Sequence, residues 1–286
     1  MKIKPISPWL LYSLYFLSVT VFFLYYLFPA DAVKGYVQSL TSQLDPALLV
    51  TIGQVRPAFP VHVRLSNVSM QHNRQLLMKA DKITIAPRFF PFLTGKKGFT
   101  ISSHVYDGTV KGKMIMASDG PVGQLQLSAL NLEKIQALKR FDQLDPAGKL
   151  NCRLDFAPKN NTMSAEGNFD IVDFTVNIEE TFPGMTALSF SSLVGKIGFS
   201  GNRLTISDVK ARGRQTDAGI NGALTLGNPL MESKLDLLVT IRPHAEIIAA
   251  LRRNPAFQWL SAKTVGKSGF PMRIGGTVED PEVSLQ

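Results

Sequence analysis

Four histidines, His62, His72, His104 and His244, are the residues of this chain best suited to hold a metal or move a proton. They are far apart in sequence, and none falls in an HExxH or comparable spacing, in which two rings on one helical face meet one ion. Each reads as a surface or loop histidine. The single cysteine, Cys152, excludes an internal disulfide and every cysteine-rich zinc site. In LNCRLDF it falls on the apolar phase, the position of a packed thiol. GFSGN, around Ser200, lacks the GxSxG spacing that lifts a nucleophilic serine onto a tight turn. LTGKKG lacks the four-residue gap and the closing Ser or Thr of a phosphate-cradling loop. Glu179-Glu180 and Glu279-Asp280 are adjacent carboxylates in expected loops. Neighbours on a strand point to opposite faces, so neither pair is placed to act jointly as acid and base. No catalytic, cofactor-binding or metal site is expected, and the chain reads as a non-enzyme.

The elements around these residues explain why chemistry is sparse. Of 286 residues, 45% are hydrophobic and 19% charged, the balance of a folded chain and not of a disordered one. The net charge of +9 is scattered in pairs such as Lys96-Lys97, Lys139-Arg140 and Arg252-Arg253. No long basic run or aromatic-interleaved basic stripe occurs, so nucleic acid is not an expected partner. The scattered charge reads as a solvated surface, with mild attraction to anionic headgroups as the alternative.

The strongest local signal is PWLLYSLYFLSVTVFFLYYLFPA. No charged residue lies between Ile6 and Ala30, about the length needed to cross a bilayer as a helix. Trp9, Tyr12, Tyr25 and Tyr26 lie near its two ends, where amphipathic rings favour the membrane interface. Lys2 and Lys4 precede it, which places residues 1–7 in the cytoplasm, residues 8–30 in the membrane as a single transmembrane anchor, and the remainder across it. The run is longer and richer in aromatics than the apolar region of a cleaved signal peptide. ADAVKGYVQSLTSQL then sets Val33, Val37, Leu40 and Leu44 on one helical face, so residues 31–46 are expected to form a juxtamembrane amphipathic helix.

From residue 47 to 286 the pattern has period two, and one β-rich domain is expected. Leu150, Leu154 and Phe156 share a phase in KLNCRLDFA. Ile220 and Leu224 share one in AGINGALTL, as do Leu235, Leu237 and Val239 in ESKLDLLVTI. These residues are the candidate apolar groove or core face. Similar segments lie near 49–56, 62–70, 76–86, 99–106, 109–117, 122–130, 187–199 and 203–212. In HVRLSNVSM the apolar phase slips between Leu65 and Val68, which implies a bulge. Clean alternation means antiparallel strands with one apolar and one solvated face. Short helices are expected at NLEKIQALKRF, capped by Asn131, and from Pro243 onward. They are too few to cover the apolar face. The sheet must therefore curl on itself, pack on a second sheet, or be covered by a partner protein or by acyl chains. Phe89, Phe90 and Phe92, beside prolines in APRFFPFLTG, are a candidate membrane or partner edge. GALTLGNPLMESKLDL and GTVEDPEVSL share one plan of strand, Asx-Pro turn and strand, so the final residues are expected to form a hairpin of the sheet.

Four stretches carry a resemblance: the anchor running into LFPADAVKGYVQ and VTIGQVRPAFPVHVRLSNVSM; VYDGTVKGKM; NRLTISDVKARG with INGALTL; and GFPMRIGGTVEDPEVSL. Together, and in this order, the chain resembles protein N of the bacterial type II secretion pathway, in the AsmA-like branch of that family. The resemblance implies an inner-membrane protein whose periplasmic β domain, an elongated and curved antiparallel sheet, works without catalysis through contacts with other secretion-machinery proteins. It also implies an alternative: an AsmA-like module that binds or transfers phospholipid, shielding acyl chains on its apolar face.

Overall fold

The computed structural model describes residues 8–44, 48–58, 62–72, 75–88, 95, 97–135, 138, 145–159, 162–182, 185–228, 230–245 and 269–285. It is mainly β. Two compact units divide the chain, Met1–Ala86 and Pro87–Gln286, so the first three strands group with the helices rather than with the rest of the expected β domain.

The first unit opens with helix α1, Pro8–Tyr26, followed by α2, Ala30–Leu44. Pro29 lacks an N–H and disfavours helix at Phe28, so the first helix stops there. The expected anchor over 8–30 is thus helical for 19 residues only, and among the described residues no helix is long and apolar enough to cross a membrane. α2 matches its expected bounds within two residues, with Asp31 in the first turn, where a carboxylate suits the helix dipole. It packs on strand β1, Leu48–Ala58, and Gln38 donates from Nε2 to the carbonyl of Val50 at 3.3 Å.

β1 pairs with β2, His62–His72, and β2 with β3, Gln75–Pro87, in an antiparallel meander. Val50, Ile52, Val55, Leu65, Val68 and Ala80 are buried and form the core of this unit. The apolar phase slips between Leu65 and Val68 as read, but the expected bulge is absent: β2 stays in register with both β1 and β3 there. Asn67 sits in the left-handed region (φ 51°), and the neighbouring strand slips with it, between Ile52 and Val55, without losing register. Gly53 lies opposite; a Cβ there would stand 3.0 Å from that of Asn67, so the two strands turn over together only with glycine at this point.

The second unit is a meander of eleven further strands: β4 (Lys97–Val105), β5 (Gly108–Ala117), β6 (Gly120–Asn131), β7 (Ala147–Lys159), β8 (Thr162–Phe182), β9 (Met185–Ser200), β10 (Arg203–Gly213), β11 (Thr216–Thr225), β12 (Lys234–Pro243), β13 (Phe270–Gly276) and β14 (Pro281–Leu285). Each pairs antiparallel with the next in sequence. Every segment read as a strand from alternation is one. The β4–β5 hairpin turns on Tyr106 and Asp107, both at positive φ (51° and 60°), the two-residue turn that matches strand twist. The two Asx-Pro segments are hairpins as expected, and their turns meet. The buried Ser233 receives Gly227 N–H on its side chain and Val278 N–H on its carbonyl.

In NLEKIQALKRF the described residues form a 3-10 turn, Leu132–Lys134, whose cap is Asn131 as read, its side chain accepting from Glu133 N–H; Leu138 is also 3-10, and residues 136–137 and 139–141 lie outside the described residues. Pro243 ends β12, paired with Thr216, a strand-end position where its missing N–H costs nothing; Ala245 is helical, and the rest of the helix expected from Pro243 onward lies outside the described residues. Glu179-Glu180 belongs to β8 rather than to a loop.

Candidate functional site: one apolar face across eleven strands

Pairing register assigns every side chain of the second unit to a face, because residues opposite each other point the same way. One row crosses all eleven strands: Ile101, Gly112, Leu125, Leu154, Gly167, Ile197, Ile206, Gly222, Leu237, Ile274 and Val283. Every member is apolar or glycine. The row beside it runs from Phe99 through Met114, Gly123, Phe156, Ala165, Phe199, Leu204 and Leu224 to Leu235. All eight residues expected on the apolar face, Leu150, Leu154, Phe156, Ile220, Leu224, Leu235, Leu237 and Val239, lie on this one face.

Three bulges keep that face apolar. In β6, β8 and β10 the apolar phase jumps three residues, from Leu127 to Leu130, Ile171 to Phe174 and Ile206 to Val209. At each jump one residue adopts positive φ: Ala129, Asp173 and Asp208. Asparagines on neighbouring strands catch two of the displaced N–H groups. Asn151 Oδ1 accepts from Ala129 at 2.9 Å, and Asn221 Oδ1 accepts from Asp208 at 2.8 Å. The pattern apolar–x–x–apolar, which marks Leu65 and Val68, was present in these strands as well and is the signal that identifies them.

The face is packed within itself. Phe190, Leu193, Val209 and Ala211 are buried, against Phe169, Ile171, Phe174 and Ile220. Of the expected face residues, Val239 is buried and the other seven are half-buried. Strong packing in this unit runs between consecutive strands, and its described helical residues are few: the turns Leu132–Lys134 and Leu230–Glu232, with Leu138 and Ala245. Among the described residues, therefore, no second layer covers the face. Ten strand spacings of about 4.8 Å give a track roughly 48 Å across.

The opposite face is polar. Lys111, Gln126, Arg153, Asn168, Lys196 and Ser207 form one row across six strands. A shallow groove there is lined by Asn151, Arg153, Asn168, Asp170 and Lys196, among others. Lys196 is paired with Asp208 at 2.8 Å, and Asn151 donates to Asp170 at 3.4 Å. In the row from Lys111 to Ser207, Lys111, Arg153 and Lys196 are separated by uncharged residues, and two residues along Asp155 stands opposite Glu166.

The chemical candidates stay apart. His62 and His72 end β2, His104 lies in β4 and His244 follows β12, and among the described residues no group of three metal-ligating side chains forms. Cys152 is a buried free thiol on the apolar face, and burial raises its pKa. Phe89, Phe90 and Phe92 lie outside the described residues. On α1, Trp9, Tyr12 and Tyr26 are exposed, while the Tyr25 hydroxyl is enclosed and has no hydrogen-bond partner among the described residues. No known protein family, curated protein or solved structure matches this chain.

Proposed function

We propose that this protein is a membrane-anchored, non-enzymatic lipid-binding module that lays acyl chains along the apolar face of β4–β14. The carrying observation is the row from Ile101 to Val283, which stays apolar or glycine through every strand. A sheet meant only to pack on itself has no need to keep one row uninterrupted to both ends. A hydrocarbon core is about 30 Å thick, so one acyl chain is about half that, and the track takes about three chain lengths end to end.

α1 supports the anchoring. Its large apolar side chains are exposed on all sides, Trp9, Leu10, Phe16, Phe22 and Tyr26 among them. Two of its hydroxyls bond inside the helix, Ser18 to Leu14 O and Thr20 to Phe16 O, both at 2.8 Å, the arrangement that lets such groups sit in hydrocarbon. At ~1.5 Å per residue the helix is about 28 Å long, and no charged residue lies between Ile6 and Ala30, with Lys2 and Lys4 on the N-terminal side, which favours a cytoplasmic N-terminus. By the AsmA-like resemblance the membrane is the bacterial inner membrane and the sheet is periplasmic.

The test is to purify the full chain in a mild detergent, exchange the detergent, and extract bound phospholipid for mass spectrometry. Wild type and the polar-face variant Lys111→Glu retain phospholipid, whereas Ile197→Asp and Leu237→Asp lose it with unchanged circular dichroism. A lipid-free wild type overturns the reading.

A second reading, a type II secretion component acting by protein contact, rests on the four resembling stretches, which fall on the α1–α2–β1–β2 segment and on the β4–β5, β10–β11 and β13–β14 pairs. Deleting the gene then retains exoproteins in the periplasm, and only the anchored full-length chain restores their export. Normal secretion in the deletion strain removes this reading.

A further inference from the structure

His244, just past the end of β12, has a ring that faces two acceptors. Nδ1 lies 3.0 Å from the carbonyl oxygen of Arg214, and Nε2 lies 3.4 Å from Oδ2 of Asp217. A neutral imidazole carries one ring proton and donates only one such bond, whereas the imidazolium donates both. The Asp217 carboxylate also accepts the Gly213 N–H through Oδ1 at 3.2 Å, and the His244 backbone N–H donates to Gln215 O at 2.9 Å. These contacts join the turn between β10 and β11 to the point where the chain leaves β12.

Charged groups around the ring act in both directions. Asp217, on β11, favours the protonated form and is the carboxylate at bonding distance. Arg212 on β10 and Arg242 on β12 are the register partners of Asp217, and both oppose protonation. Glu246 lies outside the described residues. Each nearby arginine keeps a long solvated side chain, while the carboxylate is held toward the ring by Gly213.

We propose that His244 is a proton-dependent staple: as imidazolium it locks the β10–β11 turn to the exit of β12, and losing the proton releases this corner of the sheet. The side chain is 41% exposed, so the ring exchanges protons freely with solvent. An imidazolium bonded only in the folded chain titrates higher there than in the unfolded one. The stabilisation is therefore complete below the unfolded value of about 6.5 and is lost as pH rises through the folded value.

The experiment uses the full chain in detergent micelles, labelled with carbon-13 at histidine Cε1, with His244→Gln identifying the resonance. The expected result is a His244 midpoint above about 6.5 that falls in Asp217→Asn. Gly213 amide exchange, corrected for its intrinsic chemical rate, accelerates several-fold across the same pH range in wild type and shows no step in His244→Gln. The other three histidine resonances report whether each variant is folded. A wild-type midpoint no higher than that of Asp217→Asn, or Gly213 exchange without a step, overturns the proposal.

Discussion

Phe169 on β8 pairs directly with Gly195 on β9, and the ring occupies the space where a side chain of Gly195 would be. A Cβ on Gly195 would stand 2.9 Å from Phe169 Cζ and 2.6 Å from Val209 Cγ2. The packing between Phe169 and the buried Val209 thus exists because position 195 is bare. Gly195→Val is expected to lower stability by about 1–3 kcal/mol, the range for overpacking a filled site. Urea unfolding followed by circular dichroism measures it, and an unchanged midpoint would show that the ring moves aside freely.

The bulge staples are separable from the apolar packing. Asn151→Ala leaves the Ala129 N–H without its acceptor, and Asn221→Ala does the same for Asp208. Each is expected to cost about 1–2 kcal/mol. They lie four strands apart, so the double variant should show the sum of the two losses. A clearly larger loss would mean that the bulges form as one cooperative unit.

The ion pair of Lys196 and Asp208 predicts a flat stability profile between two edges. Hydrogen bonding and charge from Lys196 hold the Asp208 carboxyl below its usual value, and Asp208 raises the Lys196 ammonium. The lowered carboxyl contributes above the unfolded aspartate value of about 3.9 and loses its contribution as pH falls through the folded value. The raised ammonium contributes below the unfolded lysine value of about 10.4 and loses it as pH rises through the folded one. Both groups are fully exposed, so the effect on stability is small and is best read by NMR. The Asp208 midpoint should return to the ordinary carboxylate range in Lys196→Ala; a midpoint unaffected by that change would dissociate the pair.

Cys152 is expected to be a poor nucleophile in the folded chain. Burial disfavours the thiolate and raises its pKa. At pH 8 a thiol-specific probe should react many-fold more slowly with native protein than with protein in urea, and faster labelling in the native state would count against the packed position on the apolar face.

Much of this architecture was legible before folding is considered. Alternation in stretches such as Leu150–Phe156 and Leu235–Val239 is a local consequence of side chains pointing to opposite sides of a strand, so the strands and their apolar phase could be read one at a time. The uncharged run around α1 was equally plain. What alternation cannot specify is which residue sits opposite which, because register depends on turns and on bulges that shift it by one. Only pairing put Gly112, Gly167 and Gly222 in line with Leu154 and Leu237, and only it showed that the slips at Ala129, Asp173 and Asp208 preserve the face instead of breaking it. Tertiary pairing also took Pro243 into the end of a strand, opposite Thr216. The sequence by itself determined strands, phase and an apolar leader helix. The tertiary structure decided that the phases join into one continuous face, because that is a relation between residues far apart in sequence that only hydrogen-bonded register can establish.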